Sequence, residues 1–273
     1  MADVPGGHVK RSAPEILPPP WNRVPRRASA DRRDPLNREA IVTAAIRILD
    51  EAGLDAFTMR RVADAPGTVP ALLYWHVGSK DGLLDLVFEE VIGEQQVPDA
   101  DPACWQDQLK DVARTMRATI VRHRDIVRIS IGRVPMGPNA LRYSDRVLAI
   151  LRVGGASDRL AVLGHHLLIS IVNGFTVDET DEGGQPTPEP IAAMTRDYLA
   201  SLPPDQFPNL VALADHFAIS DQDLRFDVLI GLFVDGLACR IALERGSSEN
   251  QLLDSWVPPI LSSPSEECEE PER

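Results

Sequence analysis

The chain has 273 residues, 44% of them hydrophobic and 25% charged, with 28 Lys and Arg against 41 Asp and Glu and a net charge of −13. Such a chain can bury one large core or two smaller ones, is too apolar to be wholly disordered, and shows no apolar run approaching the roughly 18 residues of a membrane helix. Its acidity excludes attachment to nucleic acid by overall charge, so contact with DNA requires a local surface that departs from the global balance.

The first residues, MADVPGGHVKRSAPE, contain no apolar secretion segment, so the expected location is the cytoplasm. Residues 1–36 carry seven Lys or Arg, four acids and seven prolines, and read as a disordered basic arm. Residues 257–273 read as an acidic disordered tail. Between these ends the prolines stand singly or in short clusters. They leave windows at 37–65, 71–97, 103–134, 139–185, 191–202 and 209–257 that show helical periodicity. Proline costs about 3 kcal/mol inside a helix, so this placement predicts an all-α protein with short, sharp connections.

In the first window Asn37 can cap a helix whose stripe is Ile41, Ala44, Ala45, Ile48, Leu49 and Ala52, with Gly53 as its stop. Thr58 can cap a second, short helix holding Met59, Val62 and Ala63. A third is predicted from Thr68 or Val69, with Pro70 in its first turn, through Leu72, Leu73, Tyr74 and Trp75 to Gly78. Ser79 can cap a fourth, whose stripe is Leu83, Leu84, Val87, Phe88, Val91 and Ile92. Three short helices with a tight turn at Gly67 before the third make a helix-turn-helix, a pattern that small helical bundles also produce. Charge divides along the chain: residues 1–84 hold 12 Lys or Arg and 10 acids, a net +2, and residues 85–273 hold 16 and 31, a net −15.

Leu-Leu-Tyr-Trp-His-Val-Gly-Ser-Lys over 72–80, followed by Asp-Gly-Leu-Leu-Asp over 81–85, resembles the signature of the TetR family of transcriptional regulators. The spacing of Asn37, Gly53, Phe57-Thr58, Gly67 and Tyr74 fits the same pattern. Trp105-Gln106, Leu109, Arg122-His123-Arg124-Asp125, Gly132 and Pro135, and later Leu202-Pro203-Pro204, Phe207-Pro208, Phe226-Asp227 and Asp235-Gly236-Leu237, are similar to the subgroup with the tetracycline-repressor-like C-terminal domain. The likeness runs over about 37–245. It implies a helix-turn-helix DNA-binding domain over 37–84 and a larger helical effector-binding and dimerisation domain over 85–256. It also implies a ligand-responsive repressor: a homodimer on a near-palindromic double-stranded operator, released by a small organic effector, with no membrane partner and no cofactor. A regulator that activates, or that senses a protein partner, is the other reading.

The resemblance carries DNA contact onto named residues. Arg60 matches a position that reaches a base edge, where a guanidinium can grip guanine in a bidentate way. Tyr74 and His76 match phosphate-contacting positions, Lys80 matches one beside the start of the fourth helix, and Thr58 is both a cap and a candidate phosphate contact. Tyr74 and Trp75 can equally be core. Val69, Pro70, Ala71 and Leu72 stand where founding members carry polar base readers, so their use is apolar contact with thymine methyl groups. Specificity then rests on Arg60 and on DNA shape.

The resemblance places the effector pocket at Val112, Met116, Arg117, Ser130, Arg133, Val134, Pro135 and Met136, with His165, His166, Asn173, Phe175 and Phe233 as further lining candidates. Ser130 stands where founding members have a metal-binding histidine, so no metal chelate is expected, and Asp178 becomes a rim or solvated acid. An organic, mostly apolar effector with a few polar handles fits this lining. Dimerisation is expected over 158–180 and 221–245, where Leu224, Val228, Leu232 and Phe233 form a stripe and Gly231, Gly236 and Ala238 permit close approach. An enzyme is not expected: the chain has no HExxH, GxSxG, GxGxxG or P-loop pattern, and His165-His166 lacks metal-binding spacing. Cys104, Cys239 and Cys268 form no CxxC pair and indicate neither a disulfide framework nor a zinc site.

Overall fold

Gly53 and Gly78 stand at φ of 77° and 76°, a region closed to most side chains, and end the first and third helices, α1 (Arg38–Ala52) and α3 (Pro70–Val77). Their N–H groups return to Leu49 O and Tyr74 O, both at 2.8 Å. The computed structural model describes residues 38–65, 70–123, 125–180, 189–217 and 221–246. Asn37, Val69, the basic arm 1–36 and the acidic tail 257–273 lie outside them. Every element among the described residues is helical, and the fold is all-α.

The caps read from the sequence form as bonds. Thr58 Oγ1 accepts from Arg61 N at 3.2 Å to start α2 (Met59–Asp64), and Ser79 Oγ accepts from Gly82 N at 2.9 Å to start α4 (Lys80–Gly93). Then come α5 (Trp105–Arg122), α6 (Ile126–Ser130), α7 (Pro138–Val153), α8 (Asp158–Thr180), α9 (Glu189–Ala200), α10 (Pro208–Ala212), a single 3-10 turn (Ala214–His216) and α11 (Gln222–Gly246). Pro70, Pro138 and Pro208 are first residues of helices, and Pro190 is a second residue. Their missing N–H groups are ones that a first turn leaves unbonded anyway. The prolines therefore mark helix starts as well as connections.

The described residues fall into two compact units, those up to 96 together with those from 118 to 145, and those from 97 to 117 together with those from 146 onward. In the first unit α1 packs on α2, α3 and α4, and α4 packs on α6. Its core joins Ile41, Ala45, Ile48 and Leu49 of α1 to Phe57, Val62, Leu73, Leu83 and Val87, all buried. Each large side chain taken out of water contributes about 1.5–3 kcal/mol. Val42 is buried where the sequence stripe had Ala44, which is half-exposed.

In the second unit α8 packs along α11. Leu160, Leu168 and Val172 are buried from α8, and Phe226, Ile230, Val234 and Leu237 from α11. Phe175 meets Phe226 edge-on with ring centroids 5.2 Å apart. By length and mean composition alone α8 is apolar enough to cross a membrane over Asp158–Glu179, although it holds no unbroken apolar run of that length. Polar and small residues (Gly164, His165, His166, Ser170, Asn173) interrupt every strictly apolar stretch, and mean composition over the helix hides that from a search for runs.

Candidate functional site

Helix α3 has an almost wholly apolar sequence, PALLYWHV, so packing must decide its inner face. Leu73 and Val77, four residues apart, are fully buried. Ala71, Tyr74 and Trp75 are turned outward, the two aromatics 46% and 48% exposed. Of the two readings of Tyr74 and Trp75, the structure takes the surface one. Trp75 packs edge-on against the His76 ring at 4.8 Å, and His76 Nε2 is buried without a hydrogen-bond partner. Arg60 and Arg61 are exposed on α2. Thr58 is exposed, but its hydroxyl is committed to the α2 cap. Lys80 Nζ donates to Phe57 O at 2.9 Å and lies 5.5 Å from the Phe57 ring centroid. Pro70 and Leu72 belong to α3, and Val69 lies outside the described residues.

Several acids of this unit are held by its own His and Arg side chains. His123 is buried and bridges Asp50, at 2.9 Å through Nδ1, to Glu94, at 3.3 Å through Nε2. Arg128 binds Asp55 at 2.8 Å and Asp125 at 2.9 Å, and its hydrogen bond holds the Asp55 carboxyl below the usual carboxylate range. Asp125 also accepts from Leu54 N at 2.7 Å, tying the start of α6 to the turn after α1.

The residues expected to line an effector pocket divide between the units. Ser130, Arg133, Val134 and Pro135 belong to the first, and Val112, Met116, His165, Asn173, Phe175 and Asp178 to the second. Ser130 Oγ donates to Val127 O at 2.7 Å and so closes the last turn of α6. Arg133 is committed to α4, through Asp81 and Asp85. Val134 and Pro135 are exposed. Val112 and Met116 are buried, and Asn173 and Phe175 half-buried. Asp178 is exposed and 4.0 Å from Arg225. His165 is 8% exposed and its Nε2 has no partner; burial, aided by the neighbouring His166, pulls its pKa down.

Arg117, whose side chain is 14% exposed, anchors the second unit. It meets Glu179 through Nε at 2.8 Å and Nη2 at 2.5 Å, and Asp223 through Nη1 at 2.7 Å. Its guanidinium also sits 4.8 Å from the Phe226 ring and 5.5 Å from Phe175. Sequence reasoning did not find these partners, nor the acid row Asp81, Asp85 and Glu89 on α4. For the row a signal was present: acids at i, i+4 and i+8 share one helix face.

Residues 41–87 match the family described as bacterial regulatory proteins, tetR family, and residues 97–241 the tetracyclin repressor-like C-terminal domain. An HTH-type transcriptional regulator of Saccharopolyspora erythraea is 30% identical over 216 residues, which cover 77% of this chain and 87% of that one. Apo ActR of Streptomyces coelicolor is 40% identical with a TM-score of 0.70, over 77% of this chain and 98% of its own. ActR in complex with actinorhodin gives the same identity and TM-score over 80% and 99%. With both family matches, one on the helix-turn-helix and one on the helices that follow, the chain belongs to the TetR family of bacterial regulatory proteins.

Proposed function

We propose that the chain is a ligand-responsive transcriptional repressor: a cytoplasmic homodimer that holds a near-palindromic operator and releases it on binding a small organic effector. The observation that carries this reading is the 40% identity to ActR along nearly all of ActR, a protein solved both apo and with actinorhodin.

Residues 37–84 supply the DNA contacts and residues 85–256 the effector pocket and the dimer contacts. Arg60 reads a base edge, and Thr58, Tyr74, His76 and Lys80 hold phosphates. Ala71 and Trp75, with Val69, Pro70 and Leu72, press on the groove through apolar contact. Dimerisation rests on the outward rows Leu163, Leu167 and Val177 of α8 and Leu224, Val228, Leu232 and Leu243 of α11, all exposed at helical spacing in the single chain. A two-fold axis puts two copies of α3 one turn of DNA apart. The effector acts by favouring the state that does not hold DNA, and DNA then weakens the effector by the same factor.

Sites selected by the full chain from random double-stranded DNA, measured by fluorescence anisotropy at about 0.1 M salt, test this reading. The expected result is a palindromic site bound by two chains and released by actinorhodin as the probe. Binding that does not distinguish sequences defeats it.

A further inference from the structure

The inner stripe of α4, Leu83, Leu84, Val87 and Val91, is buried, and another face carries Asp81, Asp85 and Glu89 at four-residue spacing. The segment joining α6 to α7 lies along these acids. Arg133 Nη2 donates to Asp81 Oδ1 at 3.0 Å, and Nη1 donates to the Asp81 carbonyl at 3.2 Å and to the Asp85 carboxylate. Its Nε donates to Ile129 O at 2.8 Å, within its own α6 turn. Farther along, the Glu89 carboxylate accepts from Asn139 N and, at 3.3 Å, from Ala140 N, while Asn139 Nδ2 donates to Glu89 O at 3.2 Å. These N–H groups belong to the first turn of α7, which has no internal acceptor for them and which favours a negative charge.

The segment is thus fixed to α4 at two points, one near each end. Either side of Arg133 it is exposed: Ile131 before it is 75% exposed and Val134 after it 63%. The Arg133 side chain is 19% exposed and uses all three guanidinium nitrogens, in a fork that a lysine cannot reproduce. Exposed ion pairs are worth little as stability. A guanidinium holding a side chain and a carbonyl of one helix and a carbonyl of another instead fixes geometry. Helix α4 packs directly on α3, so what positions α4 also positions the outward face of α3.

We infer that Arg133 is a positioning residue for DNA binding: it locks the α6–α7 segment to the Asp81–Asp85 end of α4 and so holds α3 in its DNA-ready place. This rests on the repressor reading above and adds to it the link through which that segment, which includes the pocket candidates Val134 and Pro135, reaches the DNA-binding helices.

The test has two arms on the full chain. In the first, hydrogen exchange is compared between wild type and Arg133→Ala with no DNA present. Exchange should quicken in the first turns of α4 and in 131–137, and stay unchanged in the core of α1. In the second, affinity for the DNA site selected by the wild-type chain is measured for Arg133→Ala, Arg133→Lys, Asp85→Asn and the Arg133→Ala/Asp85→Asn pair. Arg133→Ala should lose about tenfold, Arg133→Lys should fall between it and wild type, and the double variant should lose no more than the worse single one. An unchanged exchange pattern overturns the inference even if no specific DNA site is found, an outcome that would defeat only the repressor reading. Given a site, affinity within about twofold of wild type for Arg133→Ala, tighter binding, or additive losses in the double variant also overturn it. Should Arg133→Ala not fold, Arg133→Lys serves in both arms.

Discussion

The Lys80 ammonium caps the carbonyl of Phe57 at 2.9 Å and spans the gap from the first residue of α4 to the turn that begins α2. It is a strap within the helix-turn-helix as well as a cation on its surface. Lys80→Met keeps the stem and removes the charge. We expect a stability loss of about 1 kcal/mol by urea unfolding, the size of one part-buried charge-assisted bond. If Lys80 also holds a phosphate, the slope of log affinity against log salt falls by about one unit. An unchanged slope restricts Lys80 to the strap.

Arg60 is exposed on α2, outside the buried core of the first unit. Arg60→Ala should therefore leave the melting temperature unchanged. It should weaken the selected DNA site by about 1–3 kcal/mol and relax preference at one base position. Competition between site variants measures both.

Removing the His123 ring leaves Asp50 and Glu94, which it bridges, facing a hole. His123→Ala should cost about 1–3 kcal/mol, because the bridge between Asp50 and Glu94 is lost from a buried position, although Glu94 keeps its bond from Arg122. Equilibrium urea unfolding reads it, and a loss below about 0.5 kcal/mol would show that the bridge is idle.

Glutamate at Leu167 and Leu232 tests the outward rows of α8 and α11. Both side chains are exposed in the single chain, so folding should survive while pairing fails. Sedimentation should show monomers for the double variant and dimers for wild type, with DNA affinity lost in parallel. A dimer that persists moves the interface elsewhere.

His165 gives a pH dependence of definite sign. Burial lowers its folded pKa below the ordinary value of 6.5, so in the window just below 6.5 the unfolded chain binds a proton that the folded chain refuses. Stability attributable to this group is full above that value and declines as pH falls toward the folded pKa. The melting temperature should be lower at about pH 5.5 than at about pH 7.5. His165→Leu should flatten that difference at little cost at neutral pH, because the Nε2 it removes has no partner. An equal difference in both proteins would exonerate His165.

Local signals carried the fold. Thr58, Ser79, Gly53 and Gly78 act through bonds three or four residues away, so their spacing alone placed four helices. The outward rows on α11 were equally legible, being periodic. What the sequence withheld was pairing across distance. Nothing near Arg133 names Asp81 and Asp85, about fifty residues upstream, and nothing near Arg117 names Glu179 and Asp223. Resemblance put Arg133 and Ser130 beside a ligand; their bonds in this chain run to α4 and to the α6 backbone. Tyr74 and Trp75 stayed undecided for a physical reason. When a helix is apolar on every side, periodicity has no face to select, and only the neighbours of Leu73 and Val77 do.

The outward rows of α8 and α11 also bear on gene dosage. On the reading that a second copy covers these exposed rows, the assembled pair forms by a second-order reaction. While chains are scarce, halving their number cuts the assembled pairs about fourfold. On the proposed repressor reading, operator occupancy then falls faster than the number of chains, with no effector present.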